Sequence, residues 1–152
     1  MTELQIKESL FDRCQNYVQQ RIDTAQQAMQ AAQESANMEE KSSAGDKYET
    51  GRAMAQLERD RHAQLLAEAL KLSQDLAKIN VEKTYETVQP GSLVTTDRGT
   101  FFISTSVGKL TLDGIDYFAI SSVAPIGLAL AGKRAGESAT FNRMTYQVQN
   151  VS

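Results

Sequence analysis

The sequence holds one cysteine, one histidine, no tryptophan and two prolines in 152 residues. Each shortage removes a class of explanation. Cys14 has no partner for an internal disulfide, and with His62 as the sole imidazole a Cys/His zinc site lacks ligands. The same scarcity leaves no Ser/His/Asp or Cys/His catalytic set, and no glycine-rich phosphate loop is present. No apolar run approaches the roughly 18 residues that span a bilayer. The opening MTELQIKESL is polar rather than signal-like, so a cytoplasmic location without membrane contact is expected. Lys plus Arg number 16 against 19 Asp plus Glu, a net charge of −3 that gives no general attraction to phosphate backbones. A basic nucleic-acid binder is disfavoured.

What is present divides into two regimes. Residues 1–80 are rich in Ala, Gln and charge, with 10 basic and 13 acidic side chains, whereas 81–152 carry 6 of each and most of the Gly, Val, Ile and Phe. From Phe11 the apolar positions run through Cys14, Val18, Ile22, Ala25, Met29, Ala32 and Ala36 in steps of three and four. That is a coiled-coil seam, and it makes Cys14 a small buried apolar residue. A second seam is traced through Met54, Leu57, Arg61, Leu65, Ala69, Leu72, Leu76 and Ile79. The only glycines in this half, Gly45 and Gly51, fall between the two patterns, so the chain is expected to turn there. The prediction is an antiparallel helical hairpin over residues 1–80, an arm of roughly 50 Å at 1.5 Å per residue. Its alanine seam near the turn buries little area, while the leucines of 65–76 bury more. A coiled coil of this kind can equally serve only to dimerise.

The turn gathers charge. Glu39, Glu40, Asp46 and Glu49 crowd the tip near 39–49, opposed by Lys41 and Lys47. Asp46 and Glu49 stand three apart at the expected start of the second helix, so both carboxylates can leave one side of its first turn and share a divalent ion. Mg²⁺ takes one or two protein carboxylates and fills its shell with water and substrate phosphates, so a second macromolecule would complete such a site. The same Asp-x-x-Glu spacing also suits a capping box. The two roles can coexist.

After Asn80 the pattern changes to short strands and turns. VQPGSLV, FFIST, KLTL and IDYFAIS read as strands, with Asp113-Gly114 as a hairpin turn. A short helix follows Pro125, from Ile126 to Ala131, and Met144–Val151 alternates as a closing strand. Phe101, Phe102, Tyr117 and Phe118 are expected in the core. The fold class is α+β, a helical hairpin over 1–80, a linker over 81–85 and a small β-rich domain over 86–152.

Ile120–Phe141, ISSVAPIGLALAGKRAGESATF, resembles the carboxy-terminal signature of the GreA/GreB transcript-cleavage factors, which runs approximately S-P-x-G-x-A-L-x-G-K-x-x-G-D. Pro125, Gly127, Ala129, Leu130, Gly132, Lys133 and Gly136 match, while Ala124 replaces Ser and Glu137 replaces Asp. Gly45-Asp46-Lys47-Tyr48-Glu49 likewise matches the family's G-D-x-x-E tip. The usual continuation N-A-E-Y is replaced by Thr50, Gly51, Arg52 and Ala53. The resemblance covers nearly the whole chain, though along the first helix it rests on periodicity alone.

The resemblance implies an FKBP-like domain that docks at the rim of the RNA polymerase secondary channel, through Ala124, Pro125, Ile126 and Gly127. The hairpin would enter the channel, where Asp46 and Glu49 help hold a Mg²⁺ shared with the polymerase, which then cleaves backtracked RNA. On this reading the chain is not an enzyme, carries no tightly bound cofactor, meets nucleic acid only within the transcription complex, and is a monomer. The altered residues after Glu49 keep open a channel-binding regulator that does not stimulate cleavage. Peptidyl-prolyl isomerisation and a coiled-coil scaffold are the readings from other classes. His62 is expected solvated or at the seam edge, and Arg52, Arg59 and Arg61 either contact RNA or polymerase or pair with acids such as Glu58 along the helix.

Overall fold

A computed structural model describes residues 1–41 and 46–152, with side chains for all of these except 39–41 and 46–49. Two long helices, α1 (Glu3–Lys41) and α2 (Asp46–Ala77), form a hairpin. Six strands follow: β1 (Leu93–Thr96), β2 (Gly99–Ser104), β3 (Gly108–Leu112), β4 (Ile115–Ser121), β5 (Ser138–Phe141) and β6 (Met144–Val151), with α3 (Pro125–Leu130) between β4 and β5. The fold is α+β, as expected. By internal contacts the chain divides into two compact units, residues 1–17 with 75–152, and residues 18–74.

α1 opens with a reciprocal cap. Thr2 Oγ1 accepts from the Gln5 N–H at 3.2 Å, and Gln5 Oε1 accepts from the Thr2 N–H at 2.9 Å, so donors left over at the helix start are satisfied. Cys14, Val18, Ile22, Ala25, Ala32 and Ala36 are buried as the periodicity predicts, with Leu10 rather than half-buried Phe11 at the start of the stripe.

The second seam is mis-phased along its first half. Met54, Leu57 and Leu65 are exposed, Leu57 by 70%, whereas Ala69 and Leu76 are buried. Reading back from Ala69 in alternating threes and fours leads through Leu66, His62, Arg59 and Ala55, all half-buried. The expected path took two successive steps of four from Arg61 to Ala69. It thereby landed one residue, about 100° of helix, off the inward stripe. Half-buried Arg59 serves the inward side by donating from Nη1 to Gln33 Oε1 of α1 at 3.0 Å; its Nη2 also meets Asp60 at 3.0 Å.

The strand order is β3-β4-β2-β1-β6-β5. β2 and β4 pair in parallel, from Thr100 opposite Tyr117 to Ser104 opposite Ser121, and every other pairing is antiparallel. The Asp113-Gly114 turn joins β3 to β4 with positive φ at both residues, 51° and 79°, the conformation for which Asp-Gly is suited. VQPG is a turn, not strand, because Pro90 offers no N–H to a ladder; the Ser92 N–H and Oγ both donate to the Gln89 carbonyl, at 3.0 and 2.6 Å. β5 was not foreseen, since SATF buries only Ala139 and shows little alternation.

Alternation sorts the sheet into two faces. Val94, Phe101, Ile103, Tyr146 and Val148 pack with Leu130 of α3 in the main core, joined by half-buried Phe118, Ile120, Ile126 and Ala129. Phe101 stacks near Phe118 and meets Tyr146 edge-on, with ring centres 5.7 and 6.0 Å apart. Phe102, one residue out of phase and fully buried, belongs to the opposite face, where Cys14 Sγ of α1 meets Ser104 Oγ at 3.4 Å.

Candidate functional site

Two segments were singled out by sequence, and the structure bears on them unequally. The helical backbone of α2 begins at Asp46, so Asp46 and Glu49 both belong to its first turn. Their side chains lie outside the described residues, as does Gly45. Among the described residues no group of three or more His, Cys, Asp or Glu is arranged to hold a metal ion.

The second segment, from the end of β4 into α3, is described in full. Ala124 is extended, φ −66° and ψ 153°, and supplies no side-chain cap to α3. The Ser that the resemblance expects at this place would offer a hydroxyl, a cap worth typically about 1 kcal/mol. Ser121 organises the turn instead: its Oγ accepts from the Val123 N–H at 3.2 Å and its carbonyl from the Ala124 N–H at 3.1 Å. Pro125 occupies the first helical turn, where its missing N–H costs nothing.

Gly127 is required by proximity. A Cβ at this position would stand 2.2 Å from the Ser121 carbonyl oxygen, so the helix lies against the end of β4 at a distance that only glycine permits. The far end is held by backbone bonds to the segment before β1. The Gly132 N–H donates to the Val88 carbonyl at 2.9 Å, and the Val88 N–H donates to the Lys133 carbonyl at 2.9 Å. Gly132 has φ 76°, which accounts for glycine there.

This clamping decides which side chains face outward. Leu130 is fully buried and Ile126 and Ala129 pack against the core, while Val123 is 76% and Leu128 62% exposed. Pro125 is also exposed, three residues before Leu128 and so on the same side of the helix. Of the four expected docking residues, Ala124 and Ile126 are half-buried, Gly127 is buried and Pro125 is exposed. Val123 and Leu128, the exposed apolar side chains here, are not among the residues the sequence singled out. In VAPIGLAL apolar letters fill both sides of a helix only 6 residues long, so periodicity does not separate the inward from the outward side chains. The arrangement has no nucleophile or general base at its centre; what it offers is an apolar contact surface on a rigid support.

Arg59 and His62, candidates for polar contacts, lie half-buried on the inward side of α2, whereas Arg61 is exposed. Compared with known proteins, the chain matches no family model and no curated sequence.

Proposed function

We propose that the chain is a Gre-type accessory factor, binding the secondary channel of RNA polymerase and stimulating Mg²⁺-dependent cleavage of backtracked RNA. The observation that carries this reading is the outward apolar trio of Val123, Pro125 and Leu128, held by the Gly127 approach within the very segment that resembles the Gre signature. A helical hairpin and a following six-stranded domain agree with it in order and kind. The FKBP-like character of that domain belongs to the proposal.

Asp46 and Glu49, three apart in the first turn of α2, would hold the shared Mg²⁺. When bound, that ion supplies Lewis-acid stabilisation of the attacking and leaving oxygens. Two carboxylates fill only part of its shell, so the polymerase and the RNA complete it. The catalytic centre is then the polymerase's own, and this chain delivers charge to it.

The decisive experiment adds the protein and Mg²⁺ to a backtracked polymerase complex and follows RNA length. Shortened RNA with wild type, lost with Asp46→Asn, is expected, since Asn preserves a helix cap but removes the charge. In parallel, Val123→Asp with Leu128→Asp should abolish capture of polymerase while leaving the thermal transition of the free protein unchanged. Full cleavage by Asp46→Asn would end the metal-delivery role.

A second reading is a channel-binding factor that does not promote cleavage. The sequence Thr50-Gly51-Arg52-Ala53 after Glu49 favours it, because the accessory acid and tyrosine of the Gre tip are replaced. Binding without RNA shortening would select it.

A further inference from the structure

Lys7 is 2% exposed, yet among the described residues it forms no ion pair. Its ammonium donates to the Lys83 carbonyl at 2.8 Å and lies 5.0 Å from the centre of the Tyr85 ring. An ammonium has three donors, and a carbonyl and a ring face do not supply the opposite charge that burial calls for. Burial accordingly pushes the Lys7 amine below its ordinary range, with Glu3 acting in the other direction. The Lys83 ammonium approaches the same ring, at 5.3 Å from its centre. Two cations thus converge on one aromatic side chain.

Both lysines line a cleft of about 90 Å³ within the unit formed by residues 1–17 and 75–152, together with Thr84, Ser152, Glu3 and Glu82. Ser152 is 4% exposed, and its Oγ is a buried polar atom with no hydrogen-bond partner. Its backbone is engaged elsewhere, exchanging N–H and carbonyl bonds with Leu93 at 3.0 Å each. Of the two carboxylates, Glu3 accepts from Asn150 Nδ2 at 2.9 Å and Glu82 is exposed. The buried polar groups of the cleft are therefore an ammonium that makes no ion pair and a hydroxyl without a partner.

We propose that this cleft binds a small oxyanion of about phosphate size, with the Lys7 and Lys83 ammoniums and the Ser152 hydroxyl as its donors. The volume of about 90 Å³ is several times the roughly 10–15 Å³ that one water requires, enough for one such ion. Water alone would satisfy the hydroxyl but leave the buried ammonium without an anion in contact. Glu3 and Glu82 oppose a highly charged ligand and keep the affinity modest.

The test is thermal unfolding of the full chain in sodium phosphate titrated against sodium chloride at matched pH and ionic strength, with sodium acetate as a third arm. Phosphate also stabilises proteins by exclusion from their surfaces, so the readout is the difference between wild type and variants, which share that general effect. Wild type should show a saturable rise in Tm with phosphate. Lys7→Met, Lys83→Met and Ser152→Ala should each weaken the apparent affinity, Lys7→Met by tenfold or more. Acetate acting as well as phosphate would assign the site to carboxylates, and acetate without effect to tetrahedral anions; either supports oxyanion binding. A wild-type shift no larger than that in chloride, or one retained by the Lys83→Met and Ser152→Ala variants, overturns it.

Discussion

Replacing Gly127 by Ala tests whether close approach, rather than helix flexibility, fixes α3. Real Cβ atoms essentially never come within 3.0 Å of such an atom, and this one would begin 2.2 Å from the Ser121 carbonyl oxygen, so at least 0.8 Å must be made up by movement. The atom in the way is backbone at the end of β4 and cannot rotate aside. α3 therefore has to lift, and with it Leu130, Ile126 and Ala129, which fill the main core. Overpacking of this kind costs about 1–3 kcal/mol, and partial exposure of Leu130 adds to it, full burial of a Leu being worth about 1.5–3 kcal/mol. The better helix propensity of Ala returns at most about 1 kcal/mol. The net expectation is a loss of about 1–3 kcal/mol, read by calorimetry as a Tm lower by about 2–4 °C per kcal/mol. Gly132 supplies the contrast. It has open space around its Cβ position and φ 76°, so Gly132→Asn, which tolerates the left-handed region, should be nearly neutral. Gly127→Asn should be worse than Gly127→Ala. A Gly127→Ala protein as stable as wild type would refute the reasoning.

Three further outcomes follow from burial. Leu65→Gln should change stability by no more than about 0.5 kcal/mol, whereas Leu76→Ala should cost about 2–5 kcal/mol in urea unfolding, because only the latter lies on the inward stripe of α2; similar losses would reinstate the seam through Leu65. Burial raises the Cys14 thiol above its ordinary range, against the Ser104 hydrogen bond. Alkylation of the native protein at pH 8 should thus be far slower than in urea, and equal rates would place Cys14 at the surface. For Lys7 the folded pKa is lowered from 10.5, so the unfolded chain binds more protons between the lowered value and 10.5, and stability rises with pH across that window. In phosphate-free buffer, wild type should gain on Lys7→Met as pH approaches 10.5; a difference that is flat or falls contradicts this.

Elements fixed by local chemistry were legible in the sequence. Asp113-Gly114 is a turn because those residues accept positive φ, α3 starts at Pro125, and β6 alternates at its centre, where Tyr146 and Val148 are buried and Gln147 is exposed. Features fixed by distant partners were not. Nothing near Leu65 says that α2 turns its Leu66 side inward, since the phase follows from regular packing across the hairpin. The parallel pairing of β2 with β4 depends on β3 lying at the outer edge, a matter of topology. In the segment from Ala124 to Gly127 the sequence did not show which side chains face outward, because Gly127 is specified by a carbonyl on another element. For Asp46 and Glu49 the spacing was legible, and their side chains lie outside the described residues.

The position of β6 between β1 and β5 also governs the order of events as the chain is made. β1 pairs early with its neighbour β2, but its other edge waits for Asn150 and Val151, more than fifty residues later. Until then Val94 and Leu93 border an open strand edge, the type of edge on which chains associate wrongly. Synthesis on the ribosome delivers roughly 5–20 residues per second, so this edge stays unprotected for seconds. A ribosome that stalls between β1 and β6 therefore releases not a slightly shortened protein but an adhesive one.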